Sequence, residues 1–235
     1  MILRLLRTDF KKISFGMWIL VFLGPIGIFA LTTVNYLVRY DWLIRQTDDY
    51  WLQLLRQINL FLAPALLLGT TLLASLFANI EHKTNSWKQL LALPISRVKV
   101  YSSKFITISY MLCISTLLMF IGTIVFGSFF DWEQSMPIKE IAINSFYPFF
   151  AALPILAFQL WYSVASSNQG TPLTIGIIGS VVSMYAYGGP EWLIWKWPLL
   201  ENKWQIPEIS VLLGIIVGGV IFITSLIHFD QKDVK

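Results

Sequence analysis

Charged residues are scarce in this chain. Asp, Glu, Lys and Arg make up 13% of its 235 residues, whereas hydrophobic residues make up 56%. A soluble domain carries about 25% charged residues, so the composition excludes an ordinary soluble protein. The mean hydropathy of +0.67 indicates a protein whose main solvent is the lipid bilayer.

Motifs of catalysis and metal binding are also missing. No G-x-x-x-x-G-K-[ST] segment is present to hold nucleotide phosphates. The single cysteine, Cys113, has no intrachain disulfide partner, and His82 and His228 do not follow a metal-site spacing. We therefore expect no catalytic residue, no metal and no cofactor on this chain. Any energy for uphill transport must come from a partner.

Long uncharged runs predict an all-α integral membrane protein with one domain over residues 1–235. A helix needs about 20 apolar residues to cross the hydrocarbon core. The run from 141 to 190 has about twice that length, and the polar, Gly- and Pro-containing stretch Ser166–Pro172 divides it. The sequence thus predicts six transmembrane helices, at about 15–38, 57–80, 105–130, 141–165, 172–189 and 209–228.

The loop charges predict the orientation. Eleven Lys or Arg residues lie in the two termini and the loop at 81–104, and six lie in the opposite loops. Because basic residues accumulate on the cytoplasmic side, both termini and residues 81–104 are predicted to be cytoplasmic. The net charge of +4 then reflects topology, and nucleic-acid binding is a poor explanation for it.

Residues 1–12 have a helical amphipathic pattern. Leu3, Leu6 and Phe10 fall on one face, and the basic residues fall mostly on another. Two interpretations remain open: an interfacial helix that lies at the lipid headgroups, or a positively charged flank of the first span.

The loop between the second and third spans contains a second amphipathic segment. "NSWKQLLAL" (85–93) reads as a short helix that ends before Pro94, with Trp87, Leu90 and Leu91 as its apolar stripe. A helix this short is not stable alone in water. It must dock either on a soluble partner or on the bilayer surface.

Tryptophans are concentrated in the last outer loop, at Trp192, Trp195, Trp197 and Trp204. Trp favours the membrane interface, so anchoring in lipid is one interpretation. A contact surface for an amphipathic substrate, formed by Trp192, Trp195 and Trp197, is the other.

The loop resembles a known family over about residues 78–104. Its pattern "E-x-K-x-x-x-W-K-x-L-L-x-L-P-I-S-R" is similar to that of the permease subunits of type-2 ABC (ABC-2) exporters. The resemblance is closest to the lantibiotic-immunity and bacitracin-export permeases. The residues that carry it are Glu81, Lys83, Trp87, Lys88, Leu90, Leu91, Pro94, Ser96, Arg97 and Lys104.

This resemblance implies a function and a set of partners. Residues 81–104 would hold a coupling helix that docks on a separate ABC ATPase, through Glu81, Lys83, Trp87, Lys88, Leu90, Leu91, Pro94 and Arg97. The complex would contain two ATPases, which bind ATP and Mg, and a second permease that is the same chain or a paralogue. It would lie in the bacterial plasma membrane and expel amphipathic antimicrobial peptides. Other cargo (lipid, polysaccharide or a small drug) and a non-transporting scaffold or sensor remain alternatives.

Overall fold

The computed structural model describes residues 2–83, 96–130 and 132–231. Within these ranges the regular structure is helical, without strands. The α-helices are α1 (Ile2–Lys12), α2 (Phe15–Ile44), α3 (Tyr50–Lys83), α4 (Arg97–Ser128), α5 (Ile138–Ala151), α6 (Leu153–Ala165), α7 (Gly170–Met184) and α8 (Pro207–Gln231). A 3-10 turn at Trp197–Leu199 lies between α7 and α8. The expected all-α membrane architecture is confirmed.

Helix α3 is the central element of the bundle. It packs against α2, α4, α6 and α7, and 56% of its most apolar stretch is buried, compared with 22% for α8. Two of its buried hydroxyls bond within the helix: Thr70 Oγ1 donates to Leu66 O at 2.8 Å and Thr71 Oγ1 to Leu67 O at 2.9 Å. These two polar groups are thus satisfied locally, as an interior without water requires.

The outer surface of the bundle is apolar. Isoleucine, valine and leucine side chains are exposed along the outward faces of α2, α4, α7 and α8, for example Ile26, Leu117, Ile178, Val220 and Ile223. Exposed apolar faces of this extent suit contact with lipid chains, which explains the high hydropathy of the chain as a whole.

Five of the six predicted spans are long and apolar enough to cross a membrane: α2, α3, α4, α5 with α6, and α8. The fifth predicted span, 172–189, corresponds to α7, which has only 15 residues. At 1.5 Å per residue α7 extends about 22 Å, less than the hydrocarbon core of about 30 Å. Six full-length spans are therefore not confirmed.

The helices also extend beyond the predicted span boundaries. Helix α3 continues to Lys83 and α4 begins at Arg97, so the loop predicted at 81–104 is largely helical at both ends. The sequence placed Lys104 in that loop, but in the structure it is the eighth residue of α4, at the start of the third turn. Residues 84–95, which hold Trp87, Lys88, Leu90, Leu91 and Pro94, lie outside the described residues.

Helix α6 ends at Ala165 and α7 begins at Gly170, so the chain turns in the stretch where the sequence predicts a break near Ser166. Gln169 fixes this turn: its Nε2 donates to Ser163 O at 2.9 Å, and its Oε1 accepts a hydrogen bond from Ser75 Oγ of α3 at 3.1 Å. The turn is thereby held against the central helix.

Helix α8 packs against a second break between helices, which lies between α5 and α6. Gly214 and Gly218 of α8 lie against the backbone of residues 150–154. A Cβ at Gly214 would come within 2.5 Å of Phe150 O and 2.6 Å of Ala151 Cα. The Gly-x-x-x-Gly motif therefore serves close packing inside this chain.

This contact predicts a stability difference between two glycines of α8. Gly214→Ala should lower the free energy of unfolding by about 1–3 kcal/mol, since the added methyl meets backbone atoms that cannot move aside cheaply. Gly219→Ala is the matched control, because nothing lies within 4 Å of its Cβ position. Denaturation of the two variants in the same detergent measures the difference. Equal losses would contradict the packing described here.

Candidate functional site

The two helices that flank residues 84–95 meet α1 and α8 at one end of the bundle, which we call the junction. Glu81 and Lys83 lie in the last turn of α3, and Arg97 is the first residue of α4. Lys83 is exposed, whereas Glu81 is 1% exposed. Arg97 Nη1 donates to Asp230 O of α8 at 3.0 Å. Three of the predicted coupling residues are therefore at the junction.

Four charged side chains form a buried cluster inside the junction, which we call the ion cluster: Asp9, Lys12, Glu81 and Lys104. The Lys104 Nζ atom contacts both Asp9 Oδ1 and Glu81 Oε1. The Lys12 Nζ atom lies 2.9 Å from Glu81 Oε1 and 3.1 Å from Glu81 Oε2. The cluster joins α1, α3 and α4.

Burial of these charges is possible because they compensate one another. Asp9, Glu81 and Lys104 are each less than 5% exposed. An isolated buried charge costs many kcal/mol, whereas paired and hydrogen-bonded charges are tolerated. Two carboxylates face two ammonium groups, and Ser103 Oγ donates a further bond of 2.6 Å to Asp9 Oδ2. Every charged group of the cluster has a partner.

Aromatic contacts join the helices of the junction. The ring of Phe10 in α1 meets the edge of Tyr110 in α4, with centroids 5.1 Å apart. Tyr101 of α4 is fully buried and contacts the rings of Phe222 and Phe229 in α8, at 5.8 and 5.4 Å. The N-terminal half of α4 is thus packed between α1 and α8.

The carboxylate of Glu81 is engaged within this chain. The family resemblance placed Glu81 among the residues that would dock on the ATPase. In the structure its carboxylate is occupied by Lys12 and Lys104 of the same chain. Of the predicted coupling residues that the structure describes, Lys83 and Arg97 are accessible, and Glu81 acts inside the bundle.

The outer loop between α7 and α8 is organised by Glu191. Its Oε1 accepts hydrogen bonds from Lys196 Nζ at 2.9 Å and from the Lys203 backbone at 3.2 Å. Its backbone oxygen accepts the Trp197 indole N–H at 2.8 Å. Lys196 also donates to Gly189 O at 2.8 Å. The hydrogen bond from Lys196 lowers the pKa of the Glu191 carboxyl.

The three tryptophans proposed as substrate contacts occupy different environments. Trp197 is buried and its indole is bonded to the loop. Trp195 is half-buried and packs against Gly179 of α7, where a Cβ would lie 2.2 Å from its Nε1. Trp192 is 76% exposed. Substrate contact stays a prediction for all three, and Trp192 is the one that the loop presents outward.

Comparison with known proteins identifies the family. The model of the family described as "ABC-2 family transporter protein" matches residues 5–183. The chain belongs to this family. The match includes α1 to α7 almost entirely, and therefore the junction and the ion cluster.

A curated relative supports the same assignment. The bacitracin transport permease protein BCRB of Bacillus licheniformis is 26% identical over 195 residues, which cover 75% of this chain and 89% of the relative. No solved structure matches the chain. This ABC-2 permease is thus a multi-pass protein of the plasma membrane and the membrane component of a transporter; in this family the ATPase is a separate component.

The ion cluster predicts that Lys104 has a much larger effect on stability than a surface lysine. Lys104→Ala leaves two buried carboxylates with only Lys12 to compensate them, and should lower the free energy of unfolding by about 3–5 kcal/mol. Lys99→Ala, at an exposed position of the same helix, should change it by less than about 0.5 kcal/mol. Denaturant titration in detergent compares the two. A Lys104 variant as stable as the Lys99 variant would contradict the cluster.

Proposed function

We propose that this ABC-2 permease is the transmembrane subunit of an ATP-driven exporter that expels amphipathic antimicrobial peptides of the bacitracin or lantibiotic type. The observation that carries the transport mechanism is the junction. There, α3 and α4 flank residues 84–95, and buried ion pairs join both helices to α1. Such a junction is what we expect next to residues 84–95 if a soluble partner outside the bundle acts on them.

The ATPase is a separate subunit in this proposal. Residues 81–97, apart from the buried Glu81, dock on it on the cytoplasmic side, where both chain termini also lie. The apolar stripe of Trp87, Leu90 and Leu91 supplies most of the binding. The ATP and Mg sites lie wholly on the partner. Two ATPases and two permeases complete the complex, the second permease being the same chain or a paralogue.

The peptide cargo is proposed from the relative and from the outer loop. The printed name of the relative assigns bacitracin transport to that protein. In this chain Tyr185, Tyr187, Trp192 and Trp204 are exposed around the α7–α8 loop. Lys203 Nζ lies 4.7 Å from the centre of the Trp204 ring. Exposed aromatic rings beside cations offer contacts to both faces of an amphipathic peptide.

Drug tolerance tests the proposal directly. The permease and its ATPase are expressed together in a peptide-sensitive strain, and inhibitory concentrations of bacitracin and several lantibiotics are measured. We expect tolerance to rise for at least one peptide, and to return to the empty-vector value when the ATPase carries a substitution that abolishes ATP hydrolysis. The purified permease alone should hydrolyse no ATP.

Two results would contradict the proposal in different ways. Unchanged sensitivity across the panel, with an assembled and ATP-hydrolysing complex, would show that the cargo is of another class. Hydrolysis of ATP by the isolated chain, once its purity is verified, would contradict the proposal that the ATP sites lie wholly on the ATPase subunit.

A further inference from the structure

We propose that the lipid bilayer is locally thinned beside α7, so that the headgroups of the outer leaflet descend to the α7–α8 loop and contact Tyr185, Tyr187 and Trp192. The outer leaflet is the one at the end of the bundle opposite the junction, in the predicted orientation. The partner of this surface is thus a layer of lipid headgroups. Neither residues 84–95 nor the ATPase nor the cargo has a part in this contact.

Helix α7 is shorter than the hydrocarbon core of an ordinary bilayer. Its 15 residues extend about 22 Å, whereas the core is about 30 Å thick. On α2, by contrast, exposed apolar side chains continue from Phe15 to Val38, a distance of about 34 Å along the helix axis. A bilayer of ordinary thickness therefore matches α2 and is about 8 Å too thick for α7.

The contacts that follow α7 show in which leaflet the difference lies. Just beyond the end of α7, Ala186 is buried in an apolar cluster with Ala63 of α3. The uncharged part of α3 begins after Arg56, and Ala63 lies about 10 Å further into the bundle than Arg56. The α7–α8 loop consequently begins well below the outer end of the apolar part of α3.

The segment that begins at this depth is unsuited to hydrocarbon. Residues 185–190 are not helical, and Gly188 among them is exposed. Glu191, whose side chain is 24% exposed, forms an ion pair with Lys196. Irregular backbone does not face lipid chains, because its N–H and C=O groups would lack partners, and charged groups there are costly as well. The segment must therefore adjoin water, headgroups or another protein.

The exposed side chains of the loop favour the headgroup layer among these neighbours. Tyr185, Tyr187 and Trp192 are 81%, 66% and 76% exposed. Tyr and Trp are enriched at membrane–water interfaces, because their rings are apolar and their O–H or N–H groups take polar partners. Three such rings follow directly on the apolar end of α7, as an aromatic belt follows the apolar part of a spanning helix.

The outward face of α7 indicates lipid rather than a second permease as its neighbour. From residue 175 to residue 184, every exposed residue is Ile, Val or Met, and every buried residue is Gly or Ser. Gly176 faces Thr71 of α3, and Gly179 faces Trp195. Helices in membranes approach one another through small residues, and in this stretch all of them point into the chain's own bundle. The outward face offers only the aliphatic surface that lipid chains cover.

Thinning of the bilayer removes the mismatch at α7. A hydrophobic stretch shorter than the bilayer is accommodated when the lipid around it thins, and lipid chains beside α7 then end at its last turn. Headgroups at that level supply partners for the polar groups of the loop and surround its rings. Since the bilayer keeps its ordinary thickness beside α2, the outer leaflet has a depression on the α7 side of the bundle.

A matched pair of positions makes this depression measurable. Tyr187 lies next to Ala186, at the level of Ala63. Leu31 is 52% exposed on α2 and lies one turn outward of Ile28, which lines the same cavity as Leu62. Leu31 is therefore at least as close to the outer end of the bundle as Ala63 is. In a bilayer of uniform thickness, residue 187 would be no less deeply embedded than residue 31.

Spin labels at these two positions test the proposal. Tyr187→Cys and Leu31→Cys are introduced separately in a Cys113→Ser background, labelled with a nitroxide and reconstituted as full chains in dioleoylphosphatidylcholine liposomes. Relaxation of each label is measured with oxygen, which concentrates in hydrocarbon, with a water-soluble nickel chelate, and with nickel chelated to a lipid headgroup. At residue 187 we expect both nickel reagents to act more strongly than oxygen, and at residue 31 we expect the reverse order.

Three results would overturn the proposal. Dominance of oxygen at residue 187, as at residue 31, would show ordinary hydrocarbon beside the loop. Weak relaxation by all three reagents would show that another protein chain covers it. Relaxation by the soluble chelate alone would show a water-filled space without headgroups. If the Tyr187→Cys chain does not fold, Tyr185→Cys, at a position that is 81% exposed, replaces it with the same expected order.

Discussion

The junction depends on one constraint, which is that a charge buried away from water must be compensated where it lies. Lys104 is compensated by Asp9 and Glu81, and Glu81 in turn by Lys12. Because these partners come from α1, α3 and α4, their pairing decides where α1 lies and how the two helices that flank residues 84–95 are held. The accessible cations nearby, Lys83 and Lys99, are outside this arrangement and face solvent.

The packing of the other helices is explained by the lipid bilayer, which takes the place of water as the solvent around the bundle. Apolar residues are exposed on its outside, and helices associate through small residues rather than through a hydrophobic driving force. Gly176 faces Thr71 of the central helix, Gly179 faces Trp195 of the outer loop, and Gly214 and Gly218 face the α5–α6 break. Membership of the ABC-2 family makes this bundle the membrane component of a transporter, with the ion cluster at the junction and exposed aromatic rings around the α7–α8 loop.

The sequence predicts the parts that depend on local composition. Uncharged runs locate the long helices, the alternation in residues 2–12 locates α1, and the polar stretch at Ser166 locates the α6–α7 turn. It does not predict the ion cluster, because the pairs join residues 95, 23 and 69 positions apart. Asp9, the single acidic residue in a basic N-terminal helix, was the available signal. The sequence also does not predict that α7 is short. Hydropathy cannot show that the helix ends at Met184 and that the following loop packs against α7 through Trp195.

The most direct test of the account is whether residues 84–95 bind the ATPase. Tagged parent, Trp87→Ala and Trp192→Ala chains are compared at matched expression for the amount of ATPase retained after purification. Burying a large apolar side chain contributes about 1.5–3 kcal/mol, so Trp87→Ala should weaken assembly by about one to two orders of magnitude. Trp192→Ala, in the outer loop, should retain as much ATPase as the parent. Equal retention by all three chains would contradict the assignment of this segment to the ATPase interface.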